Sequence, residues 1–326
     1  MNYELCEMCG LTEEEIVRYF PEHIAETAEE LGVSSGELLE RMRAYYDGFC
    51  FDGVHRLYNP FSTLNFFAKR DFLDFWMQSG ASRLIGDYLK KRNLTVEQFR
   101  NIPVTGKFVN EPGEIDSASP AGFLYQTGYL TIREKTADDF ILDYPNTEVL
   151  NSMSELLARN ILPDGDSFGN LQTCLLTSLA RNRIDDLQTA LNALLASIPY
   201  DDFTRAGNLN IMVNDYSFPV QEWLYRSTIL AFFRGCGVVV FAEMHTNLGH
   251  ADLVVSHRGN TYVIELKVAY RTEDVPAKLI EALNQMKRKN YLAPYPGATG
   301  LAMVIDDTKR QITESKPLGD SLLTAH

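Results

Sequence analysis

Asp252, Glu265 and Lys267 fall within residues 249–268, GHADLVVSHRGNTYVIELKV, and their types and spacing suit chemistry on a phosphate ester. The run Tyr262, Val263, Ile264, Glu265, Leu266, Lys267 alternates with the period of a β-strand. Glu265 and Lys267 therefore share one face and Leu266 takes the other. His257, Arg258, Gly259 and Asn260 read as a tight turn, so the strand before them folds back and carries Asp252 towards Glu265. Two carboxylates and an ammonium then meet in one place. Hard cations such as magnesium take oxygen ligands, and a lysine beside such a cation can hold or deprotonate the water that attacks a phosphodiester. A Glu-x-Lys triplet alone is usually a solvated strand face. Asp252 across the turn is what lifts this one above that reading. His245, His250 and Asp252 offer an alternative zinc set, with neither a Cys nor a third His nearby to complete it.

Flanking elements have to position these residues. Residues 219–236 read as a helix closed by Gly237, residues 273–290 as an amphipathic helix, and residues 299–305 as a strand that completes a core. Upstream, the first ~100 residues read as helical, with helices over 12–31 and 35–46, each opened by a capping residue with acidic residues in its first turn. Pro60, after Asn59, suits the first turn of another helix. Residues 129–134 and 140–144 form an expected strand pair. Helices follow over 147–162, 166–179 and 184–195, with apolar residues spaced near 3.6, and a linker is expected within 197–209.

The Asp, hairpin and Glu-x-Lys pattern resembles the PD-(D/E)XK nuclease superfamily. That resemblance implies an α/β restriction-endonuclease-like C-terminal domain in which Asp252 and Glu265 bind Mg2+ or Mn2+. It implies that Lys267 stabilises the attacking hydroxide or the charge of the transition state. The superfamily places a further acidic residue on the helix before the hairpin, which selects Glu222. Its helix bearing a glutamine near the active site is matched by ALNQMKRKNY, which selects Gln285. Related sequences usually carry Arg before the Ala/Ile-Asp step, where this chain has His250, so a cation facing phosphate or structure is missing there.

Two longer stretches, YYDGFCFDGVHRLYNPFSTLNF and FLYQTGYLTIREKTADDFILDYPNTEV, resemble the region after the ATPase core in bacterial and archaeal proteins that join an AAA-ATPase-like module to a PD-(D/E)XK domain. The resemblance implies a mainly helical lid-like region at 1–135, a strand pair and helical connector at 136–204, and the nuclease-like domain at 205–326. No G-x-x-x-x-G-K-[ST] loop occurs in the sequence. The chain thus looks like the C-terminal part of a longer protein or the product of a gene that lost its ATPase, and no ATP hydrolysis is expected. Residues 297–300, Gly-Ala-Thr-Gly, lack the lysine and read as a turn. Tyr58, Asn59, Pro60, Phe61, Asn146 and Glu148 fall in the family-like motifs and are read as structural. Together they imply a surface meant to be covered by another chain, either a second copy or a separate ATPase.

Composition bounds the rest. The chain has 326 residues, 45% of them hydrophobic, which is long enough for two or three modules. No apolar run reaches the length of a membrane span and the N-terminus lacks the features of a signal peptide, so a cytoplasmic location is expected. Five scattered cysteines do not form a disulfide framework, and Cys6-x-x-Cys9 is half of a zinc set with no second half. A net charge of −14 opposes nucleic-acid binding. From Arg205 onward, however, 13 Lys and Arg balance 12 Asp and Glu, leaving 32 of the 44 acidic residues in the first 204. Arg226, Arg234, Lys278, Lys287, Arg288 and Lys289 are candidates to line a substrate groove. A run such as 287–289 is more often a solvated helix face. Two functions follow: a magnesium-dependent nuclease acting on DNA, and a non-catalytic nuclease-fold module that partners an ATPase.

Overall fold

The computed structural model describes residues 8–78, 84–86, 88, 96–105, 119–136, 139–161, 165–198, 210–213, 216–246 and 249–318. The chain divides into two compact units, Met1–Leu157 and Ala158–His326. Most of the expected linker at 197–209 lies outside the described residues.

The first unit opens with α1 (Glu13–Tyr19), α2 (Pro21–Leu31) and α3 (Ser35–Tyr46). Capping boxes start α1 and α3, Thr12 exchanging hydrogen bonds with Glu15 and Ser34 with Glu37. The single helix expected over 12–31 is two helices. Pro21 has no N–H to continue α1 and its ring disfavours helical geometry at Phe20, which sits at φ −124°, ψ 34° and hands over to α2 with Pro21 at its start. Pro60 opens α4 (Pro60–Lys69), with the Asn59 side chain accepting from the Ser62 N–H. Tyr46, Phe66, Phe72 and Phe75 form an aromatic cluster in which Phe66 and Phe72 lie 4.6 Å apart. After α3 the chain passes so close to Pro145 that a Cβ on Gly48 (φ 108°) would sit 2.1 Å from the Pro145 carbonyl oxygen, so only glycine fits.

Next come β1 (Ile102–Thr105), α5 (Pro120–Gln126), β2 (Thr131–Lys135), β3 (Asp139–Asp143) and α6 (Thr147–Ile161), within which the division between the units falls. The expected strand pair is a three-stranded antiparallel sheet in the order β1, β3, β2. The unanticipated β1 is four residues long and contains Pro103, which an edge strand tolerates and a sequence pattern penalises.

The second unit holds α7 (Gly165–Ala180), α8 (Ile184–Ala196), a hairpin of β4 (Asn210–Val213) and β5 (Tyr216–Pro219), and α9 (Val220–Gly235). These lead into β6 (Val239–Thr246), β7 (Gly249–His257), β8 (Asn260–Ala269), α10 (Val275–Arg288), β9 (Thr299–Asp306) and β10 (Gln311–Pro317). The sheet runs in the order β10, β9, β8, β7, β6. Only β8 and β9 pair in parallel, as the crossover through α10 demands. Arg258 and Gly259 turn β7 into β8 with φ of 47° and 83°, the two positive values of a type I′ turn.

Alternation distributes the sheet's side chains between two layers. Leu253, Val255, Tyr262, Ile264, Leu266 and Val268 pack with residues of α7, α8 and α9. Val254, Val263 and Ala302 meet Ala282, Leu283 and Met286 of α10. Strands β6 and β10, which sequence reasoning left unassigned, form the two edges. Of β10 only Ile312 is a buried apolar residue, so its periodic signal is weak. Among the described residues no helix is long and apolar enough to cross a membrane.

Candidate active site

Pairing of β7 with β8 runs from His257–Asn260 to Leu253–Ile264 and stops there. The next pair in register would be Asp252 with Glu265, and at this point the ladder changes partner. The Leu266 N–H donates to Asp252 Oδ2 at 2.8 Å instead of to a backbone carbonyl. The pairing of the two strands ends there, and the turn chemistry of 258–259 sets the register that places both carboxylates at its end.

Glu265 is fully buried, and its close partner among the described residues is the Lys267 ammonium, 2.8 Å from Oε1. Burial pushes the Glu265 carboxyl well above the usual carboxylate range and the nearby charge of Asp252 adds to it, with Lys267 and Arg226 opposing. Burial alone would lower the Lys267 pKa, but Glu265 outweighs it and the ammonium ends above the ordinary lysine value. Lys267 also donates to Gln285 Oε1 at 2.9 Å, and Gln285 Nε2 donates to the hydroxyl of the buried Tyr291 at 3.0 Å. One hydrogen-bonded line thus runs from α10 to the ammonium.

Glu222 lies in the first turn of α9 and is partly buried. Burial raises its pKa, Arg226 and the lysines 267 and 278 lower it, and Asp252 raises it, so it belongs to the same electrostatic neighbourhood. The structure therefore brings Glu265, Lys267 and Gln285 into direct contact, with Asp252 tied to the Leu266 N–H between them and the charges of Asp252 and Glu222 in the same neighbourhood. Arg226, expected from the sequence to line a substrate groove, pairs with a carboxylate of the site itself. Its guanidinium lies 3.2 Å from Asp252 Oδ1. The signal was its position four residues after Glu222, on the same helix face. Its contact with a strand residue has no sequence signature.

Other candidates fall elsewhere. Arg234 is buried and so does not line a solvent-facing groove. Lys278 pairs with Glu281 at 2.9 Å, and Lys287, Arg288 and Lys289 stand partly or fully exposed at the end of α10. The side chains of His245 and His250, and Cys6, lie outside the described residues, while Cys9 is exposed.

The donor set suits a hard divalent cation. Two carboxylates act on each other, and one of them is fully buried with an ammonium beside it, an expensive arrangement that a further positive partner would relieve. Among the described residues no three His, Cys, Asp or Glu side chains gather as a closed ligand cage. A pair of carboxylates with the remaining positions left to water and substrate oxygens is the habit of magnesium rather than of structural zinc.

Comparison with known proteins agrees with this geometry. Residues 220–314 match the PD-(D/E)XK nuclease superfamily and constitute a domain of that superfamily, a span that contains Glu222, Asp252, Glu265, Lys267 and Gln285. Over 292 residues the chain is 30% identical to a protein of Azotobacter chroococcum mcd 1 described as an uncharacterized protein in the vnfD 5′ region, covering 88% of this chain and 51% of that one. The chain thus spans about half the length of this relative. No solved structure shows a significant match.

Proposed function

We propose that this chain is a metal-dependent nuclease that hydrolyses phosphodiester bonds of DNA, with Mg2+ or Mn2+ held by Asp252 and Glu265. The observation that carries the reading is the fully buried Glu265 carboxylate, with the Lys267 ammonium 2.8 Å from it and the charge of Asp252 acting on it. Bound there, the ion would polarise the scissile phosphate and lower the pKa of a water molecule. Asp252, positioned by the Leu266 N–H, would hold the ion together with Glu265. Lys267, placed by Glu265 and Gln285, lies where an ammonium would stabilise the negative charge that grows on the phosphate and on the attacking oxygen. Gln285, itself held by Tyr291, fixes the ammonium in place, and Glu222 adds a third carboxylate at the mouth of α9.

The test is cleavage of linear, supercoiled and single-stranded DNA with Mg2+ and then Mn2+. Lys267→Ala and Asp252→Ala should each lower the rate by roughly 100-fold or more while the far-UV spectrum and melting curve stay those of a folded protein. Wild type as inert as Lys267→Ala on every substrate would sink the enzyme. A second reading would then take over, a non-catalytic nuclease-fold module that binds a separate ATPase. It is favoured by the concentration of acidic residues before Arg205, which repels nucleic acid. Exposed Val17, Tyr19, Val54, Phe61 and Leu64 in the first unit supply apolar area for such a partner.

A further inference from the structure

Of the two oxygens of Asp252, Oδ2 accepts from the Leu266 N–H and Oδ1 carries the Arg226 guanidinium at 3.2 Å, so Arg226 sits on the oxygen that the backbone does not hold. A divalent cation and Arg226 therefore compete for one carboxylate. Arg226 is anchored on α9 one turn beyond Glu222, and its charge acts on both Glu222 and Glu265 as well as on Asp252. Its guanidinium and the Asp252 carboxylate each keep about 15% of their surface open, so the pair is largely buried but not sealed.

We propose that Arg226 is a tethered cation that occupies Asp252 Oδ1 when no metal is bound and passes to a phosphate oxygen of the nucleic acid when a divalent cation takes that carboxylate. The proposal rests on the nuclease reading and assigns a substrate-binding residue to it. Without metal, the carboxylates of Asp252, Glu265 and Glu222 face two cationic side chains, Lys267 and Arg226. Adding a dication within a few ångströms of the guanidinium sets like charges against each other in a poorly solvated site. Arg226 relieves that repulsion by leaving Oδ1, but its tether on α9 keeps it beside the carboxylates. A phosphodiester brought to the same place supplies the anionic oxygens that a guanidinium fork prefers. Metal and phosphate then assist each other's binding through one side chain, and the assistance is reciprocal.

The test is isothermal titration of Mn2+ into the full chain, with and without saturating thymidine 5′-monophosphate, a phosphate ester with no phosphodiester to cleave. A titration without protein corrects for Mn2+ bound by the nucleotide. Wild type should bind Mn2+ more tightly with the nucleotide than without it, by about 5-fold or more. Arg226→Gln should bind Mn2+ about 3- to 10-fold more tightly than wild type in the absence of nucleotide and lose most of the nucleotide effect. Arg226→Lys, which keeps a tethered cation, should return both towards wild type and guards against misfolding of the glutamine variant. Retention of a duplex oligonucleotide should weaken in Arg226→Gln, with its salt slope reduced by about one. A folded Arg226→Gln that binds Mn2+ no better than wild type overturns the proposal while leaving the metal site standing. Absence of Mn2+ binding in all three folded proteins removes the nuclease reading, and the proposal with it.

Discussion

Each unit buries carboxylates, and what surrounds them differs. In the first unit Asp74 and Glu148 are both pushed up to about 7, chiefly by burial. Asp74 accepts from the Tyr45 hydroxyl at 2.8 Å and from Asn151, and Glu148 accepts from the Trp76 N–H at 3.0 Å. The groups acting on these two are neutral donors or other acids, with no cation among them. In the second unit the partner of buried Glu265 among the described residues is a cation, the Lys267 ammonium 2.8 Å from Oε1, with Arg226 on neighbouring Asp252. Burial raises all three carboxyls, so a readiness to take a proton does not separate them. What sets Glu265 apart is its company of two cations and a second carboxylate, an arrangement that packing alone does not require and that is common where function concentrates.

The sharpest way to break this contrast is a matched pair of isosteric changes. Glu265→Gln should cost on the order of 100- to 1,000-fold in metal-dependent cleavage and weaken Mn2+ binding by a similar factor. Glu148→Gln, which imitates a protonated acid, should leave both within about 2-fold. Equal effects of the two, measured by initial rates and by titration, would mean that burial and not the cationic setting governs the chemistry.

A core truncation comes next. Phe66 is fully buried in the aromatic cluster with Tyr46, Phe72 and Phe75. Phe66→Ala should destabilise the first unit by roughly 3–5 kcal/mol. The chain's two tryptophans, Trp76 and Trp223, report one unit each. In urea titrations Trp76 fluorescence, read in a Trp223→Phe background, should shift to a lower midpoint. A loss below about 1 kcal/mol would show that the cluster is loosely packed.

The first unit's acids also give it a pH dependence. Their folded pKa values lie above the unfolded ones, so the folded state binds more protons between about pH 4 and 7 and stability falls as pH rises through that window. Acidifying from pH 8 to 5.5 should raise the Trp76-reported stability by roughly 2 kcal/mol per group. Asp74→Asn should remove about half of that slope. A flat profile from pH 8 to 5.5 in wild type would show that both acids are ionised in the folded state and the comparison of settings is wrong.

The site was legible in sequence as far as its residues obey local periodicities. Alternation put Glu265 and Lys267 on one face, and the Arg258–Gly259 turn fixed the register that brings Asp252 to them. Gln285 and Glu222 could be chosen only because their helices flank the hairpin in a familiar order. Arg226 was legible as a groove candidate, but its pairing with Asp252 was not, because a helix-to-strand ion pair depends on how α9 crosses the sheet, which no spacing encodes. In the fold, the break at Phe20–Pro21 was written in the proline and overridden by the amphipathic run on both sides. Strands β1 and β10 are edge strands whose few buried positions leave almost no pattern to read.

The smallest expected effect is also the one that separates the two kinds of buried acid most cleanly. Asp252→Asn keeps an oxygen for the Leu266 N–H and removes only the charge. In the absence of metal it gives up the largely buried pair with Arg226, which costs more to break than a surface pair, on the order of 2 kcal/mol. It also relieves the repulsion that Asp252 exerts on Glu265, which acts with opposite sign. The two offset, and metal-free stability read through Trp223 should stay within about 1 kcal/mol of wild type. Addition of Mn2+ should then stabilise wild type and leave Asp252→Asn unmoved, since only a folded state that binds the ion gains from it. A loss of more than about 2 kcal/mol without metal would place Asp252 with Asp74 and Glu148 among the acids that hold the fold, and the contrast between the units would disappear.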